Sequence, residues 1–153
     1  MEEDSTNVRG LTMPIYSRTF TAPAGGRNEE NWTIEGEVIT KVSVRFPPGP
    51  EGELRVKIAY GLKSLAPFAE SEWLSGDDEA IEWNEYLELP ERKTTLRVIL
   101  ENDDPDNPHS VLIRVVTMPK NLVTPVAIMN TVYQKLDMFL SKLMKLPTGV
   151  RRR

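Results

Sequence analysis

The chain of 153 residues is long enough for one ordinary domain and an appendage, and its 39% hydrophobic content is enough for one core, not two. A net charge of −4 is mild and selects neither nucleic acid nor an anionic membrane as the main partner. The absence of cysteine removes disulfide frameworks, thiolate zinc sites and cysteine nucleophiles together.

Residues 1–13 are polar and without a period, and are expected to form a flexible N-terminal arm. The start Met1-Glu2-Glu3-Asp4 is acidic where a secretory leader is basic, and no stretch approaches the roughly 20 apolar residues of a membrane span. The expectation is therefore a soluble protein made in a cytoplasm. A first extended segment runs from Pro14 to Thr21 and ends at Ala22-Pro23-Ala24-Gly25-Gly26, after which residues up to about Asn31 read as an extended arm.

From Glu37 to Phe46 the residues Val38, Thr40, Val42, Val44 and Phe46 alternate with Ile39, Lys41, Ser43 and Arg45, the period of two of a half-buried strand. Pro47-Pro48-Gly49-Pro50 stops it. Leu54, Val56, Ile58, Tyr60 and Leu62 predict a second strong strand, and a short one is expected around Ser71 to Leu74. Ile81, Trp83, Leu87 and Leu89 share one parity up to Pro90. Leu96, Val98 and Leu100, then Val111, Ile113 and Val115, mark the last two strands across the turn-rich stretch Asn102 to Pro108. Seven or eight short strands with proline and glycine between them predict a mainly β fold over residues 14–118, an antiparallel β-sandwich or jelly roll, since there is no room for helical crossovers.

Past Met118-Pro119 the period changes, and residues 119–146 read as a C-terminal α-helical segment. Thr124 suits an N-cap and Pro125 the first helical position, so the helix proper is expected from there to about Leu146, with Pro147 and Gly149 ending it. Met129, Val132, Leu136, Phe139, Leu143 and Leu146 advance by 3, 4, 3, 4 and 3 residues, a heptad seam broadened by Tyr133, Leu140 and Met144. Such a seam needs a partner: its own β-body, copies of itself, or a groove on a neighbouring protein. The length and repeat favour an oligomerisation helix, so the six residues are the candidate interface. A basic tail, residues 147–153, closes the chain with Arg151-Arg152-Arg153.

Catalytic chemistry has little to work with. His109, the single histidine, sits in a polar turn without a Gly-x-Ser-x-Gly elbow, and reads as a locally hydrogen-bonded strand-start residue. Glu82 and Glu85 flank Trp83 as a glycosidase pair would, but Glu82 has the parity of a solvent face. Trp32, Trp73 and Trp83 are candidate sugar platforms that more simply belong to a core or an interface. The runs Asp77-Asp78-Glu79 and Asp103-Asp104-Pro105-Asp106-Asn107 offer oxygen ligands without the spacing of an EF-hand. No phosphate-binding loop pattern is present. The expectation is a protein without enzymatic activity, cofactor or resident metal, and without a nucleic-acid or membrane role.

Three phrases carry a resemblance: Val42-Ser43-Val44-Arg45-Phe46-Pro47-Pro48-Gly49-Pro50, Leu54-Arg55-Val56-Lys57-Ile58-Ala59-Tyr60, and Trp73-Leu74-Ser75-Gly76-Asp77-Asp78-Glu79-Ala80-Ile81-Glu82-Trp83. With the later Leu96 to Asp104 and His109 to Val115 segments, they resemble small jelly-roll virion structural proteins of tailed phages and related viruses. The resemblance covers residues 14–118 and leaves the helix outside. It implies a virion structural protein, a capsid decoration, spike or neck component. Such a subunit docks on the major capsid protein or other virion proteins and self-associates, with a homotrimer the favoured form. The rival expectation is a carbohydrate- or receptor-binding β-sandwich module.

Overall fold

The computed structural model describes residues 14–145, so the expected N-terminal arm, Leu146 and the basic tail lie outside the described residues. Among the described residues nine strands precede one helix: β1 (Ile15–Ala22), β2 (Arg27–Glu35), β3 (Val38–Phe46), β4 (Leu54–Tyr60), β5 (Lys63–Ala66), β6 (Leu74–Ser75), β7 (Glu79–Glu88), β8 (Lys93–Asn102), β9 (His109–Met118) and α1 (Lys120–Met144). One antiparallel sheet has the order β1-β9-β3-β7 and the other β2-β8-β4-β5, with the two-residue β6 also on β4. The pairs β1·β9, β2·β8, β3·β7 and β4·β5 are nested one inside the next, which is a long hairpin rolled up, and the rolled sheets close through β3·β9 and β4·β8. This is the jelly-roll topology.

The core follows from the alternation. Val42, Val44, Val56, Ile58, Leu96, Val98, Val111 and Ile113, all assigned inward by parity, are fully buried. They meet Phe20, Trp32, Ile34, Phe46, Leu54 and Leu100 between the sheets, with Trp32 edge-on to Phe20 at 5.5 Å between ring centroids.

Within the β-body three sequence expectations change. Residues 22–31 are not an extended arm: a turn at Gly25 leads directly into β2, which hydrogen-bonds along β8 from Arg27↔Glu101 to Glu35↔Lys93. The strand expected to run through Leu62 ends at Tyr60. Gly61 adopts φ +55°, the chain reverses, and Leu62 stands 98% exposed at the tip of the β4–β5 hairpin. In β3 the register shifts between Ile39 and Lys41: against β9 Thr40 is an inserted residue, whereas against β7 the extra residue lies in β7, between Asn84 and Leu87. That bulge turns Ile39, which strict parity places outward, into the central core, and leaves Val38 buried outside the central cluster.

Gly36, between β2 and β3, has φ +155°, and a Cβ there would lie 2.5 Å from the Thr117 Cβ. Only a residue without a side chain lets β9 pass this closely, and the Thr117 hydroxyl uses the approach to donate to the Glu35 carbonyl at 3.0 Å.

Among the described residues, the body up to Pro119 and the segment from Lys120 form two compact units. The helix begins four residues before Thr124 because Pro119 ends β9 and the following turn is already helical. Thr124 is therefore not an N-cap. Pro125 lies in the second turn, where its missing N–H removes one backbone hydrogen bond from the ladder.

Candidate functional site

Twenty-five helical residues make α1 about 37 Å long at 1.5 Å per residue. Its sequence provides strong formers, Leu136, Leu140, Lys142 and Leu143 among them, and Lys142 sits in the last turn, where a cation faces the carbonyl end of the helix dipole. Met129, Val132, Leu136, Phe139 and Leu143 are each 46–58% exposed. Leu146, the sixth residue of the expected seam, lies outside the described residues.

At 100° per residue these side chains, with Tyr133, Leu140 and Met144, cover an arc of roughly 140°. In heptad terms Met129, Leu136 and Leu143 take position a and Val132 and Phe139 position d, while Tyr133 and Leu140 extend the face through position e. A two-helix seam needs less than this; the width matches a bundle in which each helix touches two others. Met138, 59% exposed, falls on the opposite face and breaks the pattern. Sequence reading passed over it because the seam's own period does not include it.

The flanks are cationic. Lys135 and Lys142 line the g positions, and Asp137 is the single acid of the helix. From residue 120 onward the chain holds seven of its 19 Lys and Arg but one of its 23 Asp and Glu, so this segment is +6 and the rest −10. No acid at e stands opposite the g lysines, so ion pairs would add little to a contact between such helices, and the apolar face is the part of α1 suited to one.

His109 has a different use. Its Nε2 donates to the Asp104 carboxylate at 2.8 Å, and both side chains are nearly buried. Asp104 also accepts from the Asp106 amide at 2.8 Å, the Asn107 amide at 3.1 Å and the Asn107 side chain at 3.1 Å. The Asp106 amide, then the Asn107 side chain, hold its carboxyl down to about 2. The Asp104 carbonyl accepts from Gly25 N at 2.6 Å, and Asn102 Nδ2 donates to Pro23 O at 3.1 Å and Asn107 O at 2.8 Å. The acidic turn thus staples the β8–β9 loop to the β1–β2 turn.

Glu53, Asp104 and His109 bring three potential metal-ligating atoms within 4.8 Å of one another. Two of them already face each other in a hydrogen bond, which a cation would have to displace. In the other acidic run, Asp77 accepts from the amides of Gly49 at 2.8 Å and Glu51 at 3.1 Å, closing the β3–β4 loop.

The remaining candidates are separated by the strands that carry them. Glu82 is on the solvent face of β7, bound to Lys41 at 2.9 Å and to Ser43 at 3.1 Å; the Lys41 hydrogen bond first, then that of Ser43, lower its pKa. Glu85 is half-buried on the opposite face, so the two do not form a carboxylate pair. Trp32 is in the core, Trp83 packs on the core margin, and Trp73 is capped by Lys57 at 4.4 Å and Arg55 at 5.6 Å from its ring centroid. Arg55 also pairs with Asp103 at 2.9 Å and Glu101 at 3.3 Å. None of the three tryptophans forms an open platform.

No family model matches the chain, and no curated protein matches it. Among solved structures it is similar to the Yersinia pseudotuberculosis-derived mitogen YPM, at TM-score 0.41 and 8% identity over 69% of this chain and 87% of that one. It is also similar to PirA, at TM-score 0.35 and 19% identity over 71% of this chain and 99% of that one.

Proposed function

We propose that this chain is a non-enzymatic structural protein of a virus particle, a jelly-roll subunit that self-associates through α1 and docks on the major capsid protein or another virion protein. The observation that carries the assembly reading is the apolar face of α1, whose five described seam residues stand half exposed in the single chain. Side chains of this size gain roughly 1.5 to 3 kcal/mol each from full burial, so a face left at half exposure favours association. The roughly 140° width supports three helices over two. The virion placement rests on the sequence phrases of the jelly-roll body and on the compact, loop-tied scaffold they build.

The chain has no cysteine, so one introduced thiol reports directly on the contact. Under mild oxidation Leu143→Cys, on the seam, is expected to give disulfide-linked chains, because position a brings copies within bridging distance in a parallel bundle. Ser141→Cys, on the polar face, is expected to stay unlinked. Equal cross-linking of both would refute the assignment of the face. Antibody against the body should label purified particles of the producing virus; labelling confined to unassembled protein would refute the virion role.

A further inference from the structure

β5 ends one sheet and β7 ends the other, and at this open side of the sandwich the core is not fully closed. Tyr60, Leu65 and Leu87 are only partly buried at its margin, and they form the floor of a cleft of about 430 Å³. Its volume exceeds those of two other clefts of the body, of about 340 and 250 Å³, and falls in the range of small-ligand sites. The rim carries Phe68, Glu70 and Glu85.

Phe68 is the unusual residue. It is 93% exposed, on the loop that follows β5, whose last residue Ala66 is buried, so the start of the loop is anchored while the ring is presented to solvent beside the cleft. An aromatic face next to an apolar floor suits the C–H face of a pyranose ring. The other lining residues carry hydroxyl-binding groups: Glu70 and Glu85 as acceptors, Lys63 as donor, the Tyr60 hydroxyl, and Ser64 as an acceptor, since its own hydroxyl donates to the Pro67 carbonyl.

This mixture distinguishes between ligand classes. A lipid tail or an apolar peptide side chain would be met by two carboxylates at the rim, with their desolvation cost. An acidic sugar would face the same two carboxylates against one lysine. A small quaternary ammonium would face Lys63 in a space larger than it fills. A neutral sugar uses the aromatic face, the acceptors and the donor together.

We propose that the cleft between β5 and β7 binds a neutral, pyranose-containing glycan, with Phe68 as the stacking platform and Glu70 and Glu85 as hydroxyl acceptors. The site is independent of the assembly helix and adds an attachment function to the body. It also differs from the tryptophan platforms suggested by sequence, since Trp73 is capped by Lys57 and Arg55.

The test is saturation-transfer NMR on the full chain with the methyl glycosides of glucose, galactose, mannose and N-acetylglucosamine, followed by titration of any that respond. Neuraminic acid glycoside and an anilinonaphthalene sulfonate dye serve as acidic and apolar probes. At least one neutral glycoside is expected to bind, with affinity reduced tenfold or more by Phe68→Ala and by Glu85→Gln and unchanged by Trp73→Ala. Phe68 is almost fully exposed, so its truncation leaves the core intact, and unchanged amide spectra of the strands verify this. No response from any neutral glycoside at millimolar concentration would overturn the proposal. So would binding that survives both cleft variants, binding lost in Trp73→Ala alone, or a cleft that takes only the acidic or the apolar probe.

Discussion

Replacing Ile39 by alanine tests the bulge in β3, where a one-residue insertion decides which side chains meet the core. Ile39 is fully buried and belongs to the central cluster, although strict alternation with Val38 and Val42 assigns it to the outer face. The substitution removes three buried carbons, a transfer loss of about 2.4 kcal/mol at about 0.8 kcal/mol each. If the surrounding side chains did not move, a residual cavity of roughly 80 Å³ would add about 2 kcal/mol at 24 cal/mol per Å³. A bulged strand can relax in part, so the expected cost is about 2.5 to 4 kcal/mol. At roughly 4 °C per kcal/mol for a domain of this size, the melting temperature should fall by about 10 to 16 °C. Thermal and urea unfolding followed by circular dichroism measure both quantities. Arg45→Ala, on the exposed side of the same strand, is the control and should change stability by under about 0.5 kcal/mol. A cost for Ile39→Ala as small as the control's would show that the strand runs in unbroken register and that Ile39 faces solvent.

Asp104 should make the body acid-sensitive in a definite window. Its carboxyl is held at about 2 in the folded chain against an ordinary 3.8, so its stabilisation is present in full above about pH 4 and is lost as pH falls through 2. Unfolding midpoints of Asp104→Asn should change less than those of the parent between pH 4 and 2; parallel curves would refute the assignment. Gly36→Ala places a Cβ against Thr117 at a positive φ and should destabilise by about 1 to 3 kcal/mol in chemical denaturation, whereas a neutral or stabilising effect would show that β9 does not pass there.

The jelly roll was legible because its strands alternate strongly: Val42, Val44, Val56 and Ile58 point to one core on parity alone. β2 was not, because Arg27, Asn28, Glu29, Glu30 and Asn31 are all polar and only Trp32 and Ile34 carry the period. That strand exists through its ladder with β8, whose paired residues lie 58 to 74 positions away and which local pattern cannot indicate. The bulge at Thr40 and the reversal at Gly61 escaped for the same reason, since a run of alternating residues does not show where the register slips or where the chain turns back. At the helix, Thr124-Pro125 imitates a helix start, while the chain had already become helical after Pro119. The apolar face itself was legible residue by residue, being a local property of spacing. Phe68 gave one weak signal, an aromatic ring in a Pro- and Glu-containing loop, but the cleft beside it joins strands far apart in sequence.

The claim that α1 assembles the protein is tested most directly by light scattering coupled to size exclusion on the full chain across a range of concentrations. The parent should elute as an oligomer, with about three times the 17.4 kDa chain mass the favoured value. Leu136→Asp with Phe139→Asp removes two half-exposed apolar side chains per copy and places carboxylates in the contact, and should give a monomer whose β-sheet spectrum and unfolding midpoint are unchanged. A parent chain that stays at 17.4 kDa at the highest concentration, or a double variant that remains oligomeric, would contradict the account.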